Sequence, residues 1–233
     1  MTQKPDTSAS GIRRYLRRAV ELVFGLFVFA AGSYMTVQAN IGLSPWWAFD
    51  MGLAMVTKID YGITHNMVAV LILIIDVLLH EKIGWGTICN ALLIGGFVTL
   101  FNRWELLPQM QSLAAGIVCM LAGLLVIAVG SYFYIHAAFG CGPRDALMVA
   151  LCRAMPRIPV GAVRAALEGA ALLIGWLLGA KVGIGTVISV FGIGFAIEFV
   201  FRLFKFDVAS VRHENLLDTV RNLGELLRRG KDG

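Results

Sequence analysis

Charge is scarce in this sequence. Of 233 residues only 15% are Asp, Glu, Lys or Arg, against about 25% in an ordinary soluble domain, while 58% are hydrophobic. A buried core of this size cannot absorb so much apolar surface. That excludes an ordinary cytosolic enzyme, a disulfide-stapled secreted domain and a nucleic-acid-binding module. Cysteine is sparse as well. Cys89, Cys119, Cys141 and Cys152 show neither CxxC spacing nor His-rich surroundings, so no disulfide framework and no metal site is expected. The chain also lacks a Walker loop, a nucleophile elbow and a visible nucleophile–base pair, which argues against an enzyme and against a cofactor.

Long apolar runs are what it has instead. A spanning helix needs about 20 mostly apolar residues and must satisfy its own backbone hydrogen bonds. Residues 22–40, 62–80, 83–101, 113–137, 160–179 and 182–204 meet that requirement. The expected fold class is an all-α polytopic membrane protein with six transmembrane helices. The first run continues into aromatic and polar residues with no small-x-small cleavage site, so it reads as a span and not as a cleaved signal.

Arg13, Arg14, Arg17 and Arg18 precede the first span. With six spans, Lys82, Arg144, Arg153, Arg157 and the C-terminal tail fall on that same side, and only Lys58, Arg103 and Lys181 on the other. The positive-inside rule then sets both termini in the cytoplasm. On this reading the net charge of +5 records topology. Residues 208–229 carry Val211, Leu216, Leu217, Val220, Leu223, Leu226 and Leu227 at helical spacing among polar residues, the pattern of an amphipathic cytoplasmic helix. The first ten residues are expected to be disordered.

An internal repeat is the most informative feature. "GSYMTVQANIGLSPWWAFDMGLA" from Gly32 recurs as "GSYFYIHAAFGCGPRDALMVAL" from Gly130, and "KIGWGTI" from Lys82 as "KVGIGTV" from Lys181. Each copy reads as a span, a G-x-x-P connection with a short helix, a span, a K-x-G-x-G-T turn and a span. Three spans per copy is odd, so the second copy must run inverted, as in many secondary transporters whose site lies at the repeat interface. The resulting division is a cytoplasmic segment 1–18, a first repeat 19–106, a second repeat 107–205 and a C-terminal helix 206–233.

The paired "GLSPWW" and "GCGPRDAL" loops, with "VRAALEGAALLIGWLLGAKVGIGT", resemble the YczE/YitT-type family of bacterial integral membrane proteins. The likeness covers about residues 20–204. It implies this fold, a multi-pass place in the bacterial inner membrane and a transport role. Relatives tend to carry a P-x-D element in both halves; here Asp145 keeps it in the second, and Trp47 stands in the first.

Four groups of residues are candidates for function. Gly42, Pro45, Gly140 and Pro143 make the two G-x-x-P turns, each leading into a short helix (46–58 and 144–156) that either lies on the membrane or dips into it with its positive dipole end toward an anion. Arg144 and Asp145 follow the second turn, as a topology signal and a first-turn acid or as a gate pair. Arg164 and Glu168 lie four residues apart in the fifth span, on one helical face, with Glu168 about 12 Å along it. Charges at that depth must face the protein interior, as a structural ion pair or as a coupling and substrate site. Of the other polar residues, His65, Asn66, Asp76 and Glu198 with Arg202 are weaker signals, Gln38, Asn40 and His136 are expected around a vestibule, and Tyr34 and Tyr132 between helices. Gly84, Gly86, Gly95, Gly96, Gly183, Gly185, Gly192 and Gly194 suit close helix packing.

Two functions follow: a small-solute secondary transporter or exporter with its site at the repeat interface, or a non-transporting membrane scaffold acting through a cytoplasmic partner. The expected partners are the lipid bilayer and a small polar or anionic solute, a homodimer is compatible, and no nucleic acid is expected.

Overall fold

A computed structural model describes residues 8–81, 83–158, 160–206, 211 and 214–229; the side chains at 8–10, 160–162, 164, 223, 225–227 and 229 lie outside that description. The described residues form helices and connecting turns only. In chain order the helices are α1 (Ser8–Gln38), α2 (Pro45–Thr57), α3 (Tyr61–Leu78), α4 (Trp85–Arg103), α5 (Leu113–His136), α6 (Pro143–Ala154), α7 (Val160–Leu177), α8 (Ile184–Leu203) and α9 (Leu216–Arg229).

Five of them are long and apolar enough to cross a bilayer: Gly11–Gln38 within α1, α3, α4, α5 and α8. α7 is apolar over the shorter stretch Ala165–Leu177. Their outward faces carry large hydrophobic side chains, among them Phe191, Phe195 and Leu177, each more than two-thirds exposed. A soluble protein does not leave so much apolar surface in water, and a lipid environment satisfies it. The protein is therefore a multi-pass α-helical membrane protein.

α1 and α5 form the centre, crossing with their backbones almost touching. A Cβ added at Gly130 of α5 would stand 2.4 Å from the Phe29 nitrogen of α1. Leu26, Ala30, Met120 and Ala128 are fully buried along this seam. α4 packs on α1 and α8 on α5, while α2 lies against α7 and α6 against α3. Each short helix thus packs on a helix from the other half of the chain.

Both short helices begin the same way. The chain leaves the preceding helix through a residue in the left-handed region, Asn40 (φ 56°) or Ala138 (φ 58°), and then through Gly42 (φ 124°) or Gly140 (φ 117°). The glycines are required by that φ and by space, since a Cβ would stand 2.7 Å from the Gly183 nitrogen or the Thr87 hydroxyl. Pro45 and Pro143 then open the helix in its first turn, preceded by extended Ser44 and Gly142. Each loop also docks on the start of a later helix, because Gly185 N–H donates to Ile41 C=O (2.8 Å) and Gly86 N–H to Phe139 C=O (2.7 Å).

Several boundaries differ from the sequence expectation. α1 starts at Ser8, not at residue 22, and so includes three of the ten residues expected to be disordered; Met1–Thr7 lie outside the described residues. Its 31 residues span about 46 Å, longer than the bilayer core, so the Arg13–Arg18 turns form a helical extension beyond it. α9 starts at Leu216, where Asn215 and Asp218 cap each other's backbone N–H groups (2.7 and 3.2 Å); of the helix expected from 208, residues 208–210, 212 and 213 lie outside the described residues. Gly96 and Gly194 do not mediate packing, for a Cβ at either would meet nothing within 4 Å.

Candidate functional site

The first turns of α2 and α6 converge on a cavity of about 240 Å³. Ser44, Pro45, Trp46 and Trp47 approach from one side and Gly142, Pro143, Arg144 and Asp145 from the other. α1, α3, α4, α5, α7 and α8 supply the remaining wall, mostly apolar and interrupted by Thr36, Asn90, Ser131 and Ser189.

At its edge lies a cluster of charged groups. Arg144 of α6 donates to Asp50 Oδ2 of α2 (2.8 Å), and the same oxygen stands 2.8 Å from His65 Nδ1 of α3. Arg144 lies 3.3 Å from that nitrogen. Asp50 is fully buried, and with two donors around one carboxylate oxygen the proton between Asp50 and His65 is assigned to His65 Nδ1. Aromatic rings fix the cluster in place. Trp47 stacks on His65 (4.4 Å, 13°), and the Arg144 guanidinium sits 4.9 Å from the Trp46 ring. A buried carboxylate is tolerated only when paired in this way. Both helix starts lack a side-chain cap, and residues of both first turns line the cavity.

The structure brings some of the sequence candidates together and separates others. Arg144 and Asp145 both line the cavity, but Arg144 reaches past its neighbour to Asp50, 94 residues away. Glu168 also lines it, from α7. The Arg164 side chain lies outside the described residues, and so therefore does the expected Arg164–Glu168 pair. Pro45 and Pro143 line the cavity, while Gly42 and Gly140 set the turns behind it.

Gln38, Asn40 and His136, expected around a vestibule, do not line the cavity; Gln38 and Asn40 hold the loop before α5, and His136 joins the end of α5 to α1. Gln38 donates to Leu107 C=O (2.7 Å), Asn40 to Met110 C=O (3.2 Å), and His136 meets Glu21 (3.1 Å). Gln38 and His136 end α1 and α5, and only the two amide side chains reach a loop. Tyr34 bonds Leu107 C=O and Tyr132 stacks on Phe204. Glu198 pairs with Arg202 one turn on. Asp76 is buried at the end of α3, and neither of its oxygens has a hydrogen-bond partner.

Sequence reasoning missed Asp50 and undervalued His65. The available signal was that Asp50 is the one charged residue in PWWAFDMGLAMVT. A second polar cluster, also unforeseen, sits where α1 begins and α5 ends. Glu214 binds Arg18 (2.7 Å) and Tyr15 (3.0 Å), its N–H donates to Ala138 C=O, and Leu216 N–H donates to Ile83 C=O. This straps the segment before α9 across the loops that lead to α6 and α4. Cys141 lies in the first of these loops, and burial, with the nearby Asp145 carboxylate adding to it, pushes its thiol up to about 11.

A family model described as a family of unknown function (DUF6198) matches residues 16–202. The chain belongs to this family. Similar curated proteins include an "Uncharacterized protein" of Haemophilus influenzae, 30% identical over 178 residues (76% of this chain, 80% of the relative). The "Uncharacterized membrane protein YczE" of Bacillus subtilis is 30% identical over 181 residues (75% and 81%). The "Uncharacterized protein YyaS" of the same organism is 25% identical over 176 residues (71% and 83%). The YczE resemblance read from the loops is thus shown. No solved structure matches the chain. The family match runs from α1 to the end of α8, so it contains Asp50, His65, Arg144 and the whole cavity lining and leaves Glu214 and α9 outside.

Proposed function

We propose that the protein is a small-solute secondary transporter or exporter of the bacterial inner membrane. It has six spans, α7 joining the five longer helices as the fifth in chain order, arranged as two inverted three-span repeats with both termini cytoplasmic. Support for the repeat comes from α2 and α6, which share their entry geometry at Gly42 and Gly140, and from the reciprocal docking of each loop on the other half.

The observation that carries the transport reading is the Arg144–Asp50 ion pair. It joins the short helix of one half to the short helix of the other at the edge of a cavity between them. An acidic group on a solute would compete with Asp50 for Arg144, helped by the two uncapped helix starts. Breaking that pair frees α6 from α2 and provides a two-state element through which solute binding is coupled to opening. Conversion of substrate forms no part of this reading.

The test is a thermal-shift screen of purified protein against a panel of metabolites, since a ligand that binds only the folded state raises the midpoint by mass action. A solute that stabilises the wild type and not the Arg144→Gln, Asp50→Asn double variant supports the proposal. A panel in which every hit stabilises both equally counts against it. A second reading, a scaffold acting through a cytoplasmic partner, is favoured by one observation: α9 is strapped to the bundle through Glu214, yet leaves Leu217 and Val220 exposed.

A further inference from the structure

α3 carries a single buried stripe. His65, Val68, Ile72 and Asp76 follow one another at helical spacing, so they share a face, and all four are buried. α6 runs along that face. At its start Arg144 stands 3.3 Å from His65 Nδ1, in its middle Leu147 packs on Val68 and Ile72, and at its end Arg153 donates to Glu81 (3.2 Å). Asp76 lies on the face that α6 covers, between the second and third of these contacts.

Asp76 is fully buried, and neither of its carboxyl oxygens has a hydrogen-bond partner. The contrast with Asp50 is direct, for that equally buried carboxylate has Arg144 and His65 on one oxygen. Among the described residues the one charge that bears on Asp76 is a second acid, Glu81. The elements around it bring no cation to its side. α4 has Cys89 and a single charged residue, Arg103, beyond the Thr99–Asp60 contact at the far end of α3. α2 has only Asp50, at the His65 end of the stripe. In α6, Arg144 is held by Asp50 and Arg153 by Glu81, and Asp145 and Cys152 are its other titratable groups. Cys141, in the loop before α6, lies close enough to Asp76 and Glu81 that charge on either raises its thiol. His80 is exposed, and Lys82 lies outside the described residues. A carboxylate sealed from water is tolerated only when paired, so the sealed Asp76 is a neutral acid with a proton on one of its oxygens.

We propose that Asp76 is a proton-binding site and that its proton is the coupling ion of the transporter. With α6 seated on α3, Asp76 holds one proton. When solute draws Arg144 off Asp50 and α6 lifts, water reaches the carboxyl group, its O–H bond breaks, and the proton leaves to that water while Asp76 takes the negative charge. Reseating α6 takes one proton back. The site is next to the loop whose Ile83 C=O accepts from Leu216 N–H, so with the termini cytoplasmic the exchange is with the cytoplasm. The coupling rests on the transport reading; the proton site itself is tested without solute.

The test uses full-length protein in phosphatidylcholine nanodiscs. Infrared spectra at neutral pH should show a protonated carboxyl band that shifts in deuterium oxide and is missing from Asp76→Asn, with Asp76→Ser in its place if the amide does not fold. Hydrogen–deuterium exchange then reads α6. The seated state binds the proton and the lifted state does not, so after correction for the intrinsic rate the wild-type protection should fall about tenfold per pH unit between about pH 6 and pH 8. In Asp76→Asn it should stay flat, which separates Asp76 from His65, the other titratable group of the stripe. In vesicles offered the metabolite panel, a pH gradient should drive uptake by the wild type and not by Asp76→Asn.

A wild type without the acid band, or α6 protection that falls equally with pH in a folded Asp76 variant, would overturn the proton site. Protection restored at the upper pH by sodium and not by choline at equal ionic strength would assign the site to a metal ion instead. A gradient that acts alike on both proteins would overturn the coupling. Flux with neither signature sinks the proton site and leaves the transporter standing. Both signatures in a protein that moves no solute have the opposite meaning.

Discussion

Arg144 and Asp50, 94 residues apart, share a 2.8 Å hydrogen bond in which the Asp50 carboxylate is wholly buried. The bond ties the first turn of α6 to the middle of α2, so its energetics and its chemistry can be tested separately.

Removing Arg144 leaves the buried Asp50 charge with His65 as its one remaining partner, and breaking a buried pair costs ~3–5 kcal/mol in comparable cases. Arg144→Gln alone should therefore lower the thermal midpoint sharply. Adding Asp50→Asn should recover much of the loss, because the buried charge goes with it. A double variant no more stable than the single one would show that Asp50 is compensated by other groups.

Gly42 and Gly140 occupy the same left-handed geometry in loops that dock in the same way. Gly42→Ala and Gly140→Ala should each destabilise the protein, by at least ~1 kcal/mol for the backbone conformation alone and more for the clash at 2.7 Å. Paired denaturation curves in detergent check this, and the two variants should respond alike. A neutral alanine at either site would contradict the turn described here.

With its thiol near 11, Cys141 is almost wholly protonated at neutral pH. In a variant retaining only this cysteine, the maleimide rate should rise about tenfold per pH unit and keep rising past pH 9, where an ordinary thiol with a pKa of about 8.5 levels off. A plateau by pH 9 would mean that the loop leaves Cys141 in water.

Glu214 holds the C-terminal segment against Arg18 and Tyr15. Glu214→Ala should release α9, seen as faster proteolysis after α8, while the cavity region keeps its protection. If the released tail no longer recruits a cytoplasmic partner in pull-down, the scaffold reading gains.

Much of the fold was legible because its signals are local. Six apolar runs lie close to helices, the G-x-x-P turns lead into short helices as their glycine and proline demand, and Arg202 meets Glu198 one turn away. The site was legible only in part. Arg144 was visible as a charge in a repeated turn, yet its neighbour Asp145 drew the pairing argument, and nothing local ties residue 144 to residue 50. His65 looks like a packing residue until Trp47 and Asp50 close around it. The early start of α1 escaped notice because charged helical turns outside a membrane carry no hydropathy signal.

The most direct measurement is solute flux in proteoliposomes across a metabolite panel, comparing wild type with the folded Arg144→Gln, Asp50→Asn double variant. The account predicts at least one solute that the wild type moves faster than protein-free vesicles and that the double variant does not. A wild type that moves nothing above the protein-free rate, or a double variant that moves the solute at the wild-type rate, would contradict it.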